Sequence, residues 1–295
     1  MHQQPGTIVV GVDGSQQSHR ALLWAVEQAA SEHRALTLVH AIHAVTPAYL
    51  DAAISLPEEA RAALLAEGQE ALTKAHAEVE RLAPELVVHE VLRLEDPRIV
   101  LLDLSNDASL VVVGSRGRGK LRSLLLGSVG VALARHAQCP VVVHRPGNAG
   151  TARTGILVGA DASEESLPVL EFAYRQASLR NLPLMVLHCY REVPAAAYGS
   201  YVMPAVVTDL ESERLGMAES MAGFAEKYPD VHVHSEMTNG APQEALVKLG
   251  EPMDLVVTGS HQAGRVSQLL FGMVSISVVE HATCPVAVVP LGAPS

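Results

Sequence analysis

Short runs of branched aliphatic residues alternate along this chain with longer stretches in which apolar residues recur every three or four positions. The runs TIVVGVD, LTLVH, LVVHEVL, LVVVG and PVVVH have the length of strands. Most of them are apolar on consecutive positions, as expected of parallel strands buried on both faces. Between them the period changes to that of a helix. A first helix is predicted to start near Ser15, with Leu22, Ala25, Val26 and Ala29 on one face. Residues 57–81 form a long Ala- and Glu-rich helix whose thin apolar stripe lies under a solvated face. PRIVLLDLS carries Pro97 in its first turn, where a missing N–H costs little, and Ser128 to His136 is helical. Strand and helix in alternation predict a parallel sheet covered by helices on both sides.

The pattern then repeats. GVDGS at 11–15 recurs as GADAS at 159–163, and LTLVHA at 36–41 as LMVLHC at 184–189. VVVGS at 111–115 recurs as VVTGS at 256–260, and HAQCPVVV at 136–143 as HATCPVAV at 281–288. Matches in one order at a nearly constant offset make the chain two homologous halves. The second half is predicted to place its elements at 155–159, 163–179, 184–188, 208–227, 231–237, 242–250, 254–259, 274–281 and 286–289. The boundary lies in RPGNAGTARTG, 145–155, which has the composition of a linker, giving domains at 1–147 and 154–295. Each is read as a doubly wound, Rossmann-like α/β domain.

Composition narrows the partners. Aromatic residues make up 3% of the 295, so the cores must be built from Ala, Val, Leu and Ile. No apolar run approaches the ~18 residues of a membrane span, and the N-terminus has no secretion-signal pattern. Three cysteines without a CxxC pair fit a reducing compartment, and a cytoplasmic protein is expected. A formal charge of −11 argues against general nucleic-acid binding. Against that background Arg116, Arg118, Lys120 and Arg122 stand out as a local anion site.

Those cations lie in GSRGRGKL, 114–121, which is one residue short of a P-loop. Leu121 stands where a P-loop has the hydroxyl that meets Mg2+, and a carbon side chain cannot ligate a metal. A longer pattern fits better: Gly114, two residues, Gly117, nine residues, then Gly127-Ser128 opening a helix. The glycines permit close backbone approach, successive N–H groups form an anion-binding concavity, and the helix start adds its positive end. Ser128 either donates its hydroxyl or caps the helix. Ligands in open α/β sheets bind beyond the carboxyl ends of the strands, where the strand order reverses. Asp13, at the end of the first strand, either accepts hydrogen bonds from a ligand there or caps the turn into the first helix.

Taken together, the glycine pattern after the fourth strand, the Asp ending the first, and HAxCPVxV at the last strand resemble the universal stress protein family in its tandem form. The resemblance covers nearly the whole chain. It implies a five-stranded parallel sheet of order 3-2-1-4-5 in each half, and pairing of strand-five edges that gives a homodimer or an internal pseudo-dimer. Members with this glycine motif bind ATP, with or without Mg2+, and act as regulators in stress adaptation or growth arrest, partnered by proteins the sequence does not name. Carried over by position, Gly11, Val12 and Asp13 meet the nucleoside, and backbone at Ala41 meets the adenine. Gly114, Ser115, Arg116, Gly117, Arg118, Gly119 and Lys120 wrap ribose and phosphates. Gly127, Ser128 and Val129 hold the phosphate tail.

The second half keeps Gly159, Asp161, Gly259, Ser260, Gly272 and Val274. It has Gln262 in place of the second glycine and Met273 in place of the serine, and its basic loop has thinned to His261 and Arg265, with Gly264 between them. Formal charge follows, at −3 for residues 1–148 (13 basic, 16 acidic) and −8 for 149–295 (8 basic, 16 acidic). A competent first site and a weakened second one are expected; two binding sites are the alternative.

Other residues admit plainer readings. The fourteen His, including the repeat pairs His40/His188 and His136/His281, have no metal-ligand spacing apart from isolated HxH pairs such as His232 and His234, and read as packed or solvated. Cys139 and Cys284 read as buried small hydrophobes. Residues 190–207 are a flap over the second site or a contact surface. No catalytic set is apparent, so an enzyme is not expected. A weak ATPase or nucleotidyl-transfer enzyme remains one rival, and a dimerising scaffold that uses ATP for stability alone another.

Overall fold

The computed structural model describes residues 6–43, 57–117, 127–145, 154–161, 163–190, 210–261 and 271–291. It divides into two compact units, Met1–Pro146 and Gly147–Ser295, each with its own core.

In the first unit the strands are β1 (Ile8–Gly11), β2 (Leu36–Ala41), β3 (Val88–Arg93), β4 (Leu110–Gly114) and β5 (Val141–His144). They pair in parallel in the order β3-β2-β1-β4-β5. Helices α1 (Gln16–Glu32), α2 (Glu58–Leu82), α3 (Pro97–Leu104) and α4 (Ser128–His136) form the crossovers. The order reverses at β1, whose neighbours are β2 and β4. Its residues Ile8, Val9 and Val10 are fully buried, as a central strand covered on both faces requires. The edge strand β3, VHEVLR, is only partly covered and carries charge, which discourages pairing with other chains.

The ends of α1 follow from its sequence. Ser15 Oγ accepts the Ser18 N–H at 3.1 Å and caps the N-terminus. His33 ends the helix in the left-handed conformation at φ 53°, and Asn181 does the same at φ 50° in the other unit. The predicted buried face, Leu22, Ala25, Val26 and Ala29, is buried. In α2 only a stripe of Gly68, Leu72, Ala75 and Val79 is. A Cβ on Gly68 would come within 2.7 Å of Leu92 Cδ1, so the glycine lets this helix sit close to β3.

The second unit repeats the plan with β6 (Ile156–Gly159), β7 (Leu184–Tyr190), β8 (Val233–Asn239), β9 (Leu255–His261) and β10 (Val286–Leu291), ordered β8-β7-β6-β9-β10. Its helices are α5 (Leu167–Arg180), α6 (Leu210–Lys227), α7 (Pro242–Gly250) and α8 (Phe271–His281). Tyr174 of α5 stacks on Phe224 and Tyr228 at the end of α6, at centroid distances of 5.2 and 6.0 Å.

Several boundaries differ from the sequence reading by about two residues, among them those of β7, α6, β8 and β10, and three differences bear on the second cleft. The helix expected over 163–179 is a 3-10 turn, Glu164–Ser166, followed by α5. Here the Ser163 hydroxyl is turned toward Asp161 and makes no cap, and Pro168 in the first turn of α5 has no N–H to bond back. Strand β9 runs on to His261, because β10 continues alongside it as far as Leu291. Helix α8 begins at Phe271, ahead of Gly272.

Candidate functional site

At the carboxyl end of β1 the chain passes through Val12 and Asp13 before α1. Val12 donates its N–H to Val39 of β2 at 2.8 Å. Its carbonyl accepts from Nδ1 of the buried His40 at 2.7 Å. This bond sets the tautomer of His40 and ties the end of β2, where Ala41 lies, to the end of β1. Asp13 Oδ1 accepts the Ser15 N–H at 2.9 Å, and the Asp13 N–H reaches Ser18 Oγ at 3.3 Å. Asp13 therefore shapes the turn into α1, as one of the two readings has it.

The glycine loop comes to the same place. A Cβ built on Gly117 would stand 2.6 Å from Asp13 Oδ2, and one on Gly114 2.7 Å from the backbone of Gln17. Only glycine permits those two approaches without a shift. The loop closes on itself where Gly127 donates its N–H to the Ser115 carbonyl at 3.0 Å. That bond takes the Gly127 N–H out of any anion cradle. The first-turn N–H groups that helix geometry leaves over belong to Ser128, Val129 and Gly130. Gly127 itself caps α4 with extended backbone, and Ser128 is exposed at the first helical position. Gly11, Val12, Asp13, Gly114, Ser115, Arg116, Gly117, Gly127, Ser128 and Val129 thus lie at one end of the sheet, around the strand reversal. Arg118, Gly119 and Lys120 lie outside the described residues.

The second unit has a cleft at the corresponding place, lined among others by Gly159, Asp161, His188, Leu246, Gly259 and Val274. His188 Nδ1 bonds the Ala160 carbonyl at 3.2 Å, repeating the His40 contact. Its Nε2 lies 3.2 Å from Glu213 of α6. Asp161 is held differently from Asp13. Its Oδ1 takes the Ser163 N–H at 3.0 Å, the Ser163 hydroxyl at 2.5 Å and the Ser166 hydroxyl at 2.6 Å. Burial pushes the Asp161 pKa up, but those donors, with His188 nearby, outweigh it and hold the carboxyl below its ordinary range. Ser260 and His261 lie in β9 and not in a loop, and Gly272 and Met273 lie inside α8 and not ahead of it. Gly264 and Arg265 are outside the described residues.

The two halves also differ in charge at the start of the helix after the first strand, outside the glycine motif. Gln16 and Gln17, opening α1, become Glu164 and Glu165 in the second unit at the same offset as Asp13 and Asp161. Among the described residues no three His, Cys, Asp or Glu side chains converge to hold a metal ion. Burial pushes the Cys139 thiol up to about 12, far from a reactive thiolate.

Comparison with known proteins agrees with this architecture. The profile of the universal stress protein family matches residues 5–145 and again 153–290. A universal stress protein of Mycolicibacterium smegmatis is 35% identical over 292 residues, covering 96% of each chain. One from Mycobacterium tuberculosis is 34% identical over 291 residues, covering 95% of this chain and 96% of its own. Among solved structures, a universal stress protein from Archaeoglobus fulgidus superimposes with a TM-score of 0.70 at 20% identity, covering 97% of both chains. With both halves matched by one family and relatives similar over almost their whole length, the chain belongs to the universal stress protein family, in its two-domain form.

Proposed function

We propose that the first unit binds ATP in the crevice beyond β1 and β4, and that the bound nucleotide regulates the protein's conformation or partner binding in stress adaptation or growth arrest. The observation that carries this reading is the close approach of Gly117 to the Asp13 carboxylate. It unites the two halves of the motif at the strand reversal, where an open α/β sheet receives its ligand. The residues suit the nucleotide. Asp13 can accept from ribose hydroxyls. Backbone past β2, near Ala41, can meet the adenine edge. The start of α4 offers N–H groups and the positive end of a helix to phosphate. The four cations between Arg116 and Arg122 supply the counter-charge in sequence. No general base is assigned, and the nucleotide is read as a ligand and not as a substrate.

The test is to denature the purified protein and quantify the released nucleotide by chromatography and mass. About one ATP per chain is expected. No nucleotide, followed by no binding when ATP is added back, would overturn the reading. We further propose that the protein works in the cytoplasm as a homodimer or internal pseudo-dimer; light scattering distinguishes two chains from one.

A further inference from the structure

The amino ends of the second unit's strands, away from the cleft, gather donor atoms that the first unit lacks. A pocket there is lined among others by Leu184, Met185, His232, Val233, His234 and Met253. His232 and His234 flank Val233, the first residue of β8. Side chains two apart on a strand share a face, with Cα atoms roughly 6.6 Å apart. Met185 of β7 is the register partner of His234, so it stands on that face roughly 4.8 Å away, one strand over. Both imidazoles are exposed, and neither makes a hydrogen bond or an ion pair among the described residues. His232 gives only its carbonyl, which accepts the Leu184 N–H at 2.9 Å and fixes the start of β8. The first unit has Val87, Thr37 and Ala108 at the places of His232, Met185 and Met253. Only His234 has a counterpart, His89, and its Nε2 is shut away from solvent. Three donors have therefore entered one pocket from three separate segments of the second unit.

We propose that His232, His234 and Met185 form a binding site for a single cuprous ion. Two imidazoles and a thioether are a borderline-to-soft donor set, which suits Cu(I). Zn2+ takes four donors drawn from Cys, His and carboxylate, and Mg2+ and Ca2+ take oxygen. The pocket lining among the described residues has no carboxylate and no thiol. The neighbouring Asp254 is occupied elsewhere, its Oδ2 accepting the Thr154 and Gly155 N–H groups at 3.0 Å each. Met253 forms the far wall, its Sδ 3.9 Å from the Thr154 hydroxyl. The register of β7 and β8 runs from Leu184 to Tyr190 without the ion. The ion is therefore an exchangeable ligand entering from solvent, and not a staple that the fold requires. This site is independent of the nucleotide reading, which concerns the first unit.

The experiment is an anaerobic titration of the full-length protein with Cu(I), in competition with the coloured cuprous chelator bicinchoninate. Uptake of about one ion per chain is expected. The His232→Ala/His234→Ala chain should lose it. Met185→Leu, which keeps the side-chain volume, should weaken it roughly tenfold or more and leave any Zn2+ uptake unmoved. X-ray absorption of the loaded wild type should show a sulfur neighbour that Met185→Leu removes. Thiols are the competing ligands, so Cys189→Ser, altered at the half-exposed cysteine, should bind as the wild type does. Both histidines are exposed, so the variants should keep the wild-type circular dichroism; His234→Gln alone makes the same prediction for a chain that does not. Uptake unchanged in the histidine variants, unaffected by Met185→Leu, or lost in Cys189→Ser would each overturn the proposal. Tighter binding of Zn2+ than of Cu(I), or no Cu(I) uptake at all, would overturn it as well.

Discussion

Asp13 holds the turn into α1 and faces the glycine loop with the same carboxylate. One oxygen bonds the Ser15 N–H, and the other faces Gly117 at a distance that no Cβ could share. Asp13→Ala removes an acceptor and Gly117→Ala thrusts a methyl into it. A charged hydrogen bond is worth about 1.5–3 kcal/mol, so ATP affinity should fall roughly 10- to 100-fold in either variant with far-UV circular dichroism unchanged. Unaltered affinity by calorimetry would remove both residues from the site. His144 poses a different residue-level case. Burial, with Arg20 nearby, lowers its pKa to about 4 from 6.5, and its Nδ1 finds no hydrogen-bond partner among the described residues. The folded state refuses a proton that the unfolded chain takes up between those two values. Its contribution is therefore fully present above pH 6.5 and is lost as the pH falls toward 4, by at most about 3 kcal/mol. The buried Val289 occupies the equivalent place in the second unit. His144→Val should flatten this acid limb in denaturant melts taken across that pH range; an unchanged limb would assign the acid sensitivity elsewhere.

At the scale of the element, the glycines decide how closely helices and strands approach. Gly114 ends β4 against the first turn of α1, where a Cβ would lie 2.7 Å from the Gln17 backbone. Gly114→Ala must displace that turn and with it Asp13. A loss of about 1–3 kcal/mol in stability is expected, together with weakened nucleotide binding. Gly223 offers the contrast: it lies within α6, and a Cβ there meets nothing within 4 Å. Gly223→Ala should raise stability by about 0.5–1 kcal/mol, because alanine gives up less backbone freedom in a helix. Chemical melts of the two variants should move in opposite directions. Most elements were legible from the hydrophobic period, and β4, α4 and α7 coincide with the stretches it marks. Each departure has an identifiable cause. The 3-10 turn before α5 arises from hydroxyls that choose Asp161 over the helix end, and the length of β9 depends on a partner strand distant in sequence.

Across the whole molecule, two similar units carry unequal formal charge, −3 for residues 1–148 and −8 for 149–295. A ligand that binds only the folded state stabilises it by mass action, by about 2.7 kcal/mol at one hundred times its Kd. ATP should therefore raise the melting temperature of the wild type and lose that effect in the Asp13→Ala/Gly117→Ala chain. Persistence of the shift in that variant would place the ATP site elsewhere. The repeat, the strand–helix alternation, the glycine spacing and the thinning of the basic loop are one-dimensional properties, and reading along the chain was enough to find them. The strand order within each unit is implied by family resemblance and not by the pattern, because pairing joins residues such as Val9 and Val111 that composition and period cannot match. The approach of Gly117 to Asp13, the capture of the Gly127 N–H by Ser115 and the different grip of serines on Asp13 and Asp161 needed the folded chain. Each is a contact of a few ångströms between loops, and such distances are set by how strands and helices pack, which no local pattern of residues encodes.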